Sequence, residues 1–237
     1  MKKIIAFELL ICLLYLAFRP AETPLRGSWK RNNADGSTTV LICADRYLMF
    51  STYQLGGKQF VSAGGGRYEI KNNRQMDYVA EYNTTDSTVV GNNVSLDFSI
   101  KNAQLASSAG ILKGTWERLD DGQSVMTGAW RIRAREGNNG EMTPMQRGSR
   151  KTIKMLSGTR FQWAAINAET KQFFGTGGGT YTIKDGKYTE TLEFFSRDNS
   201  RVGMALTFDW ALEGGDWKHA GKSSTGGKVN EIWAKEE

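Results

Sequence analysis

Two side chains that could serve as nucleophile and base are conspicuous by their rarity. His219 is the single histidine, and Cys43 is the one cysteine outside the first apolar segment, which holds Cys12. Metal sites with several His or Cys ligands, Cys-His pairs and His-based serine triads therefore have very few possible members. No spacing of carboxylates, or of Ser and Lys, marks another reaction centre, so the sequence reads as non-enzymatic, with no catalytic residue, metal site or cofactor expected. The glycine triplets Gly64–Gly66 and Gly177–Gly179 could cradle a phosphate, but a phosphate loop needs a helix N-terminus behind it and strand residues follow both. They read as strand corners or bulges. Gly221-Lys222-Ser223 lacks the upstream glycine of a nucleotide loop, because position 216 is Asp216.

Charge and aromatic residues leave binding as the remaining chemistry. Arg131, Arg133 and Arg135 alternate along one strand, with Arg147, Arg150, Lys151 and Lys154 close in sequence. This basic stripe could greet anionic lipid or polysaccharide, but the favoured reading is a solvated outer face that discourages edge pairing. Trp163, Phe173, Phe174, Tyr181, Phe194, Phe195, Phe208 and Trp210 form an aromatic set. Most must build a core, but alternation sends one member of each Phe-Phe pair away from its partner's face. The candidate ligand site combines Trp163, Phe174, Tyr181 and Phe195 as apolar wall with Arg197 and Arg201 as anchors for an anionic group. The bland alternative pairs both arginines with Asp198 or Glu193 to brace the loop.

The elements that position these residues come in two copies. Gly27-Ser28-Trp29-Lys30 matches Gly128-Ala129-Trp130-Arg131, and Phe60 to Lys71 matches Phe173 to Lys184 across the glycine triplets. Val94 to Phe98 parallels Met204 to Phe208, and the segments bearing Trp116 and Trp233 close the copies. Ordered anchors at similar spacing indicate duplication. The copies span residues 25–119 and 127–237, joined by a linker at 120–126 of turn composition.

Within each copy the period is two. In Trp130 to Arg135 apolar and basic residues alternate, as in a half-buried strand. Hairpin dipeptides such as Asp185-Gly186 and Gly214-Gly215 separate such segments. The pattern predicts an all-β chain of two tandem small antiparallel up-and-down barrels of about eight strands each. The four Trp residues at the copy ends are expected to seal each barrel where first and last strands meet.

A Gly-x-Trp first strand, an up-and-down run and a closing strand with Trp and a basic residue resemble the lipocalin-like members of the calycin superfamily. The second copy is similar to small exported lipocalin-like domains of Gram-negative bacteria through Gly128-Ala129-Trp130, Gly175 to Tyr181, Glu193 to Arg201 and Glu231-Ile232-Trp233. The resemblance implies a binding protein for a small apolar, amphipathic or anionic molecule or an envelope component. The alternative is a structural or protein-interaction module of the envelope with filled barrels. Each copy is short for a lipocalin and lacks the C-terminal helix.

Lys2-Lys3 followed by an apolar run from Ile4 to Phe18 has the layout of a secretory signal over residues 1–22, cleaved near Ala21. That places the mature chain outside the cytoplasm, in periplasm, outer envelope or medium. Glu8 and the indistinct cleavage site leave open an uncleaved segment that associates with a membrane. Apolar residues on both sides of Cys12 argue against lipidation. With Cys43 alone in the mature chain no intrachain disulfide forms, so the fold relies on its core. Net charge is +6, and about +4 without residues 1–21. The excess lies in the second copy, and it is too modest for a nucleic-acid footprint, so no nucleic-acid partner is expected. Because each copy carries both Trp-bearing end strands, a fragment of residues 125–237 is expected to fold alone.

Overall fold

Alternation along the chain becomes strand after strand in the computed structural model, which describes residues 24–236. The expected signal segment and Cys12 lie outside the described residues. The first copy forms β1 (Gly27–Asn32), β2 (Thr38–Ala44), β3 (Tyr47–Gln54), β4 (Gln59–Asn72), β5 (Gln75–Asn83), β6 (Asn93–Asp97), β7 (Ser99–Lys101), β8 (Gln104–Ser107) and β9 (Gly114–Asp120). The second forms β10 (Gly128–Glu136), β11 (Met142–Pro144), β12 (Arg150–Leu156), β13 (Arg160–Asn167), β14 (Gln172–Lys184), β15 (Lys187–Phe195), β16 (Ala205–Glu213), β17 (Asp216–Lys222) and β18 (Lys228–Lys235).

The second sheet is a closed barrel. Its eight long strands pair antiparallel with their neighbours, and β10 pairs with β18 to complete the ring. The hairpin arm β11 is a ninth strand on β10. The first sheet runs in the same order, with β1 against β9, and is nearly closed. Its opening lies at Phe98, where the chain leaves β5 as β6 and reaches β8 as β7. In β16 the two pairings overlap at Phe208 and Asp209, so the same strand stays whole.

Trp29, Trp116, Trp130 and Trp233 are all buried at the closing seams. Three of them donate the indole N–H to the carbonyl four residues upstream, Trp29 to Leu25 at 2.9 Å, Trp116 to Leu112 at 2.8 Å and Trp130 to Met126 at 2.7 Å. A cation caps each first-strand indole: Arg118 lies 3.9 Å above Trp29, and Lys235 lies 4.5 Å above Trp130.

The glycine triplets are bulges, at Gly65/Gly66 opposite Tyr82 and Ala80, and at Gly178/Gly179 opposite Phe194 and Leu192. A Cβ on Gly66 would strike the Val79 carbonyl, and one on Gly179 the Thr191 carbonyl, so only glycine lets the strands approach. The extra residue in each bulge is Glu81 or Glu193, and it reverses which residues face inward. Before the bulge β15 turns Tyr188, Glu190 and Leu192 into its barrel; after it, Phe194 points out.

That outward face is covered by the other barrel. Ile42, Tyr47, Met49, Tyr53 and Tyr82 of the first copy pack with Ile153, Met155, Ile166 and Phe194 of the second in one buried cluster. Tyr53 stacks on Phe194 with ring centres 5.0 Å apart. Lys151 reaches Glu81 at 2.8 Å and Glu236 at 3.0 Å, and Asp45 joins Lys235 at 3.0 Å. The segment between the copies is also held. Asp120 accepts from Ser28 Oγ at 2.6 Å in the first copy and, in the second, from Ser157 Oγ at 2.8 Å and the Gly158 amide at 2.9 Å. Burial alone would raise the Asp120 pKa, but these donors together hold it below the ordinary carboxylate range.

Candidate functional site

Equivalent positions in the two barrels follow from strand register. Trp29 pairs with Leu41, and Trp130 pairs with Lys154. Met76 opposes Leu96 as Tyr188 opposes Phe208, which puts Glu190 where the first copy has Tyr78. Leu105 pairs with Trp116 as Trp217 pairs with Trp233, so His219 and Glu231 occupy the places of Ser107 and Gly114.

The first barrel is filled by Leu25, Trp29, Leu41, Cys43, Leu48, Tyr68, Met76, Tyr78 and their neighbours. Cys43 is fully enclosed there and burial pushes its thiol pKa up, the opposite of what a nucleophile needs. Cys43 and His219 sit inside different barrels.

The second barrel holds charge inside. Lys154 and Glu190 are each 4% exposed, and the Lys154 ammonium donates to Glu190 Oε1 across the interior. Four rings surround that ammonium at 5.2 to 5.7 Å, those of Phe161, Tyr188, Trp217 and Trp233. Beside them His219 lies with its ring 4.0 Å from that of Phe208, and neither imidazole nitrogen has a hydrogen-bond partner. Its Nδ1 stands 3.7 Å from Glu231 Oε2, beyond hydrogen-bond reach. Burial, the largest influence, lowers the His219 pKa and favours the neutral ring. Glu231 accepts from Arg135 Nη2 at 2.6 Å and from the Trp233 indole at 3.0 Å. Burial opposes its charge, yet His219 and Arg135 together hold its pKa below the ordinary value.

A cavity of roughly 310 Å³ opens over this cluster. Lys154, Glu190, His219 and Glu231 form its polar side, while Trp163, Leu192, Phe195 and Leu206 supply apolar wall, and Ser223–Thr225 form part of the lining. That volume falls in the range of small-molecule sites, which combine apolar walls with a few polar groups.

Of the residues picked from sequence, the structure brings Trp163 and Phe195 together in this cavity, their rings 5.8 Å apart and edge to face. The single wall expected from Trp163, Phe174, Tyr181 and Phe195 divides three ways. Tyr181 is buried elsewhere, donating to the Ser157 carbonyl at 2.7 Å, and burial pushes its pKa up to about 12. Phe174, skipped by the bulge in β14, lines an adjoining groove with Arg197 instead. Arg201 donates to Asp198 at 2.9 Å and to the Ser224 carbonyl, so it braces the rim loop. Lys154, placed with the basic outer face, points inward with Thr152, while Ile153 and Met155 face the first barrel. Lys154, Glu190, His219, Glu231 and Arg135 were absent from the sequence-derived site. The signal that finds Lys154 and Glu190 is the duplication itself, through Leu41 against Lys154 and Tyr78 against Glu190.

No family model matches the chain, and no curated protein matches it. Solved structures that align with it include two from Bacteroides species. A lipocalin-like protein from Bacteroides uniformis ATCC 8492 is 15% identical with a TM-score of 0.33, covering 47% of this chain and 98% of that one. An uncharacterized protein from Bacteroides eggerthii DSM 20697 is 16% identical with a TM-score of 0.33, covering 47% and 99%. By their own strand order, the closed second sheet and the nearly closed first sheet of this chain fit a tandem pair of lipocalin-like barrels.

Proposed function

We propose that the second barrel is a non-catalytic receptacle for a small amphipathic molecule, and that the chain acts outside the cytoplasm. The observation that carries the reading is the polar cluster Lys154, Glu190, His219 and Glu231 at the base of an apolar-walled cavity. A buried ion pair is weak support for stability, since an apolar pair of similar volume serves as well or better. The first barrel has that apolar solution at the same two positions. Retaining charge inside the second is explained by a ligand whose polar end faces His219 and the ion pair and whose apolar part lies against Trp163, Phe195 and Leu206. The location outside the cytoplasm is supported by Lys2-Lys3 and the apolar run behind them. No helix among the described residues is long and apolar enough to cross a membrane.

The first barrel supports a different role for its own copy. Its interior is occupied by side chains, and its outer face packs on the second barrel, so it acts as a structural partner.

Titration with the fluorescent amphiphile N-phenyl-1-naphthylamine tests the receptacle. The full chain is expected to show one saturable site, and Leu206→Trp, which fills the cavity wall, to lose it while remaining folded. Absence of saturable binding, or equal binding by Leu206→Trp, would refute the reading.

A further inference from the structure

Beside the barrel cavity, and sharing Ile132, Arg135 and Thr152 with its lining, lies a second concavity of roughly 420 Å³ at a local break in strand pairing. β18 occupies one edge of β10 from Trp130 to Arg135. On the other edge β12 pairs only as far as Arg131, and from Ala134 onward β11 takes its place. The β11 arm thus separates β12 from β10, and the gap is lined from both strands and from β13, β14 and the turn after β15.

Five of its lining residues are cationic, Arg131, Arg135, Arg150, Lys151 and Arg197, and none is acidic. Three have carboxylates nearby: Arg135 has Glu231, Lys151 has Glu81 and Glu236, and Arg131 lies 3.9 Å from Glu236. Among the described residues Arg150 and Arg197 have no carboxylate within ion-pair distance. Both converge on Phe174. The Arg150 guanidinium lies 4.7 Å above its ring, and Arg197 Nε donates to its carbonyl at 2.6 Å, leaving the terminal nitrogens of Arg197 for another acceptor.

The first copy is an internal control. By strand register and by the equivalent turn caps Asp86 and Asp198, the positions of Arg150, Phe174 and Arg197 carry Ser37, Val61 and Thr85. The cationic groove is therefore peculiar to the second copy, while the bulges and turns around it are common to both.

We infer that this groove binds a phosphate monoester, with Arg150 and Arg197 as the two anchoring guanidiniums and Phe174 as an apolar floor. Two uncompensated positive charges match the charge of a phosphate monoester at neutral pH, about −1.5 to −2, better than the single charge of a carboxylate. Paired guanidiniums also suit its oxygens through parallel N–H bonds. Its two anchors and its floor, Arg150, Arg197 and Phe174, do not line the barrel cavity. The phosphate could be that of a soluble metabolite or of a lipid headgroup, and these share the chemistry that the groove reads.

Calorimetry on the full chain at low ionic strength tests this with phenyl phosphate, benzoate, and phosphatidylcholine vesicles with and without phosphatidic acid. Phenyl phosphate is expected to bind about tenfold or more tightly than benzoate, and the double variant Arg150→Gln/Arg197→Gln to lose about tenfold or more, with melting temperature monitored. Lys184→Gln, a charge removed from an exposed hairpin elsewhere, is expected to leave binding unchanged. Arginine-dependent binding of phosphatidic acid vesicles alone identifies a lipid headgroup, and arginine-dependent binding of phenyl phosphate identifies a soluble ester; either supports the site. The proposal is overturned if neither probe binds, if benzoate binds as tightly as phenyl phosphate, or if Lys184→Gln weakens binding as much as the double variant. Loss of naphthylamine binding in Leu206→Trp with phenyl phosphate binding retained keeps the two sites distinct.

Discussion

The two barrels share their seams and differ in their contents. Trp29 and Trp130 stand at equivalent places, each capped by a cation from its last strand and hydrogen-bonded to the chain just before it. Yet the residue paired with Trp29 is Leu41, and the one paired with Trp130 is Lys154. One scaffold carries a closed apolar core in one copy and a charged, partly hollow one in the other. The first-strand tryptophans keep their places and caps in both copies, while the residues paired with them inside the barrels differ.

The largest expected effect comes from breaking the ion pair. Lys154→Leu alone leaves Glu190 buried without its partner and should cost about 3–5 kcal/mol by urea unfolding. The double variant Lys154→Leu/Glu190→Tyr places the first copy's residues in the second and should recover most of that loss. If the double variant is as unstable as the single, the copies are not interchangeable at these positions.

Nearly as large is the effect of truncating the shared interface. Phe194→Ala empties the space against Tyr53 and should cost about 3–5 kcal/mol in the full chain. Because one buried cluster joins both copies, fluorescence and circular dichroism should report coincident unfolding. The fragment 125–237 would expose Ile153, Met155, Ile166 and Phe194, so it should be less stable than the same barrel in the full chain.

Acid should act next, through Asp120. Its folded pKa is depressed, so its stabilisation is present above the unfolded value near 4 and is lost as pH falls through the folded value. His219 has the same sign: its lowered pKa makes protonation unfavourable in the folded state, so it costs stability as pH falls below about 6.5. Asp120→Asn should therefore lower stability at pH 7 and flatten the decline below pH about 4, whereas His219→Gln should flatten the decline that begins below about pH 6.5. Denaturant curves across pH check both. The smallest effect belongs to Arg201→Ala, which loosens a rim loop and should cost less than about 1 kcal/mol.

The architecture was legible because it rests on patterns that the duplication states twice. The Gly-x-Trp starts, the glycine triplets and the alternation from Trp130 to Arg135 all became the expected strands, seams and bulges. The site was less legible. In Ile153-Lys154-Met155 the apolar residues on either side face the first barrel, so alternation read alone turns Lys154 outward and gives the wrong face. β12 is covered on both sides, and a strand covered twice loses the contrast that orients it. The Phe-Phe pairs were correctly expected to split. Where their outward members go depends on the interface between the copies, and no local pattern encodes it. Tyr181 looked like a wall residue because aromatic type does not distinguish a packed hydroxyl bonded to a carbonyl from one facing a cavity.

The central claim is that the second barrel's polar interior is kept for a ligand, and native mass spectrometry of the full chain purified from its own cells tests it most directly. The account predicts a small organic adduct on the wild-type chain that is absent from folded Lys154→Leu/Glu190→Tyr. A wild-type chain without an adduct that also fails to take up N-phenyl-1-naphthylamine, or an adduct held equally by that variant, would contradict it.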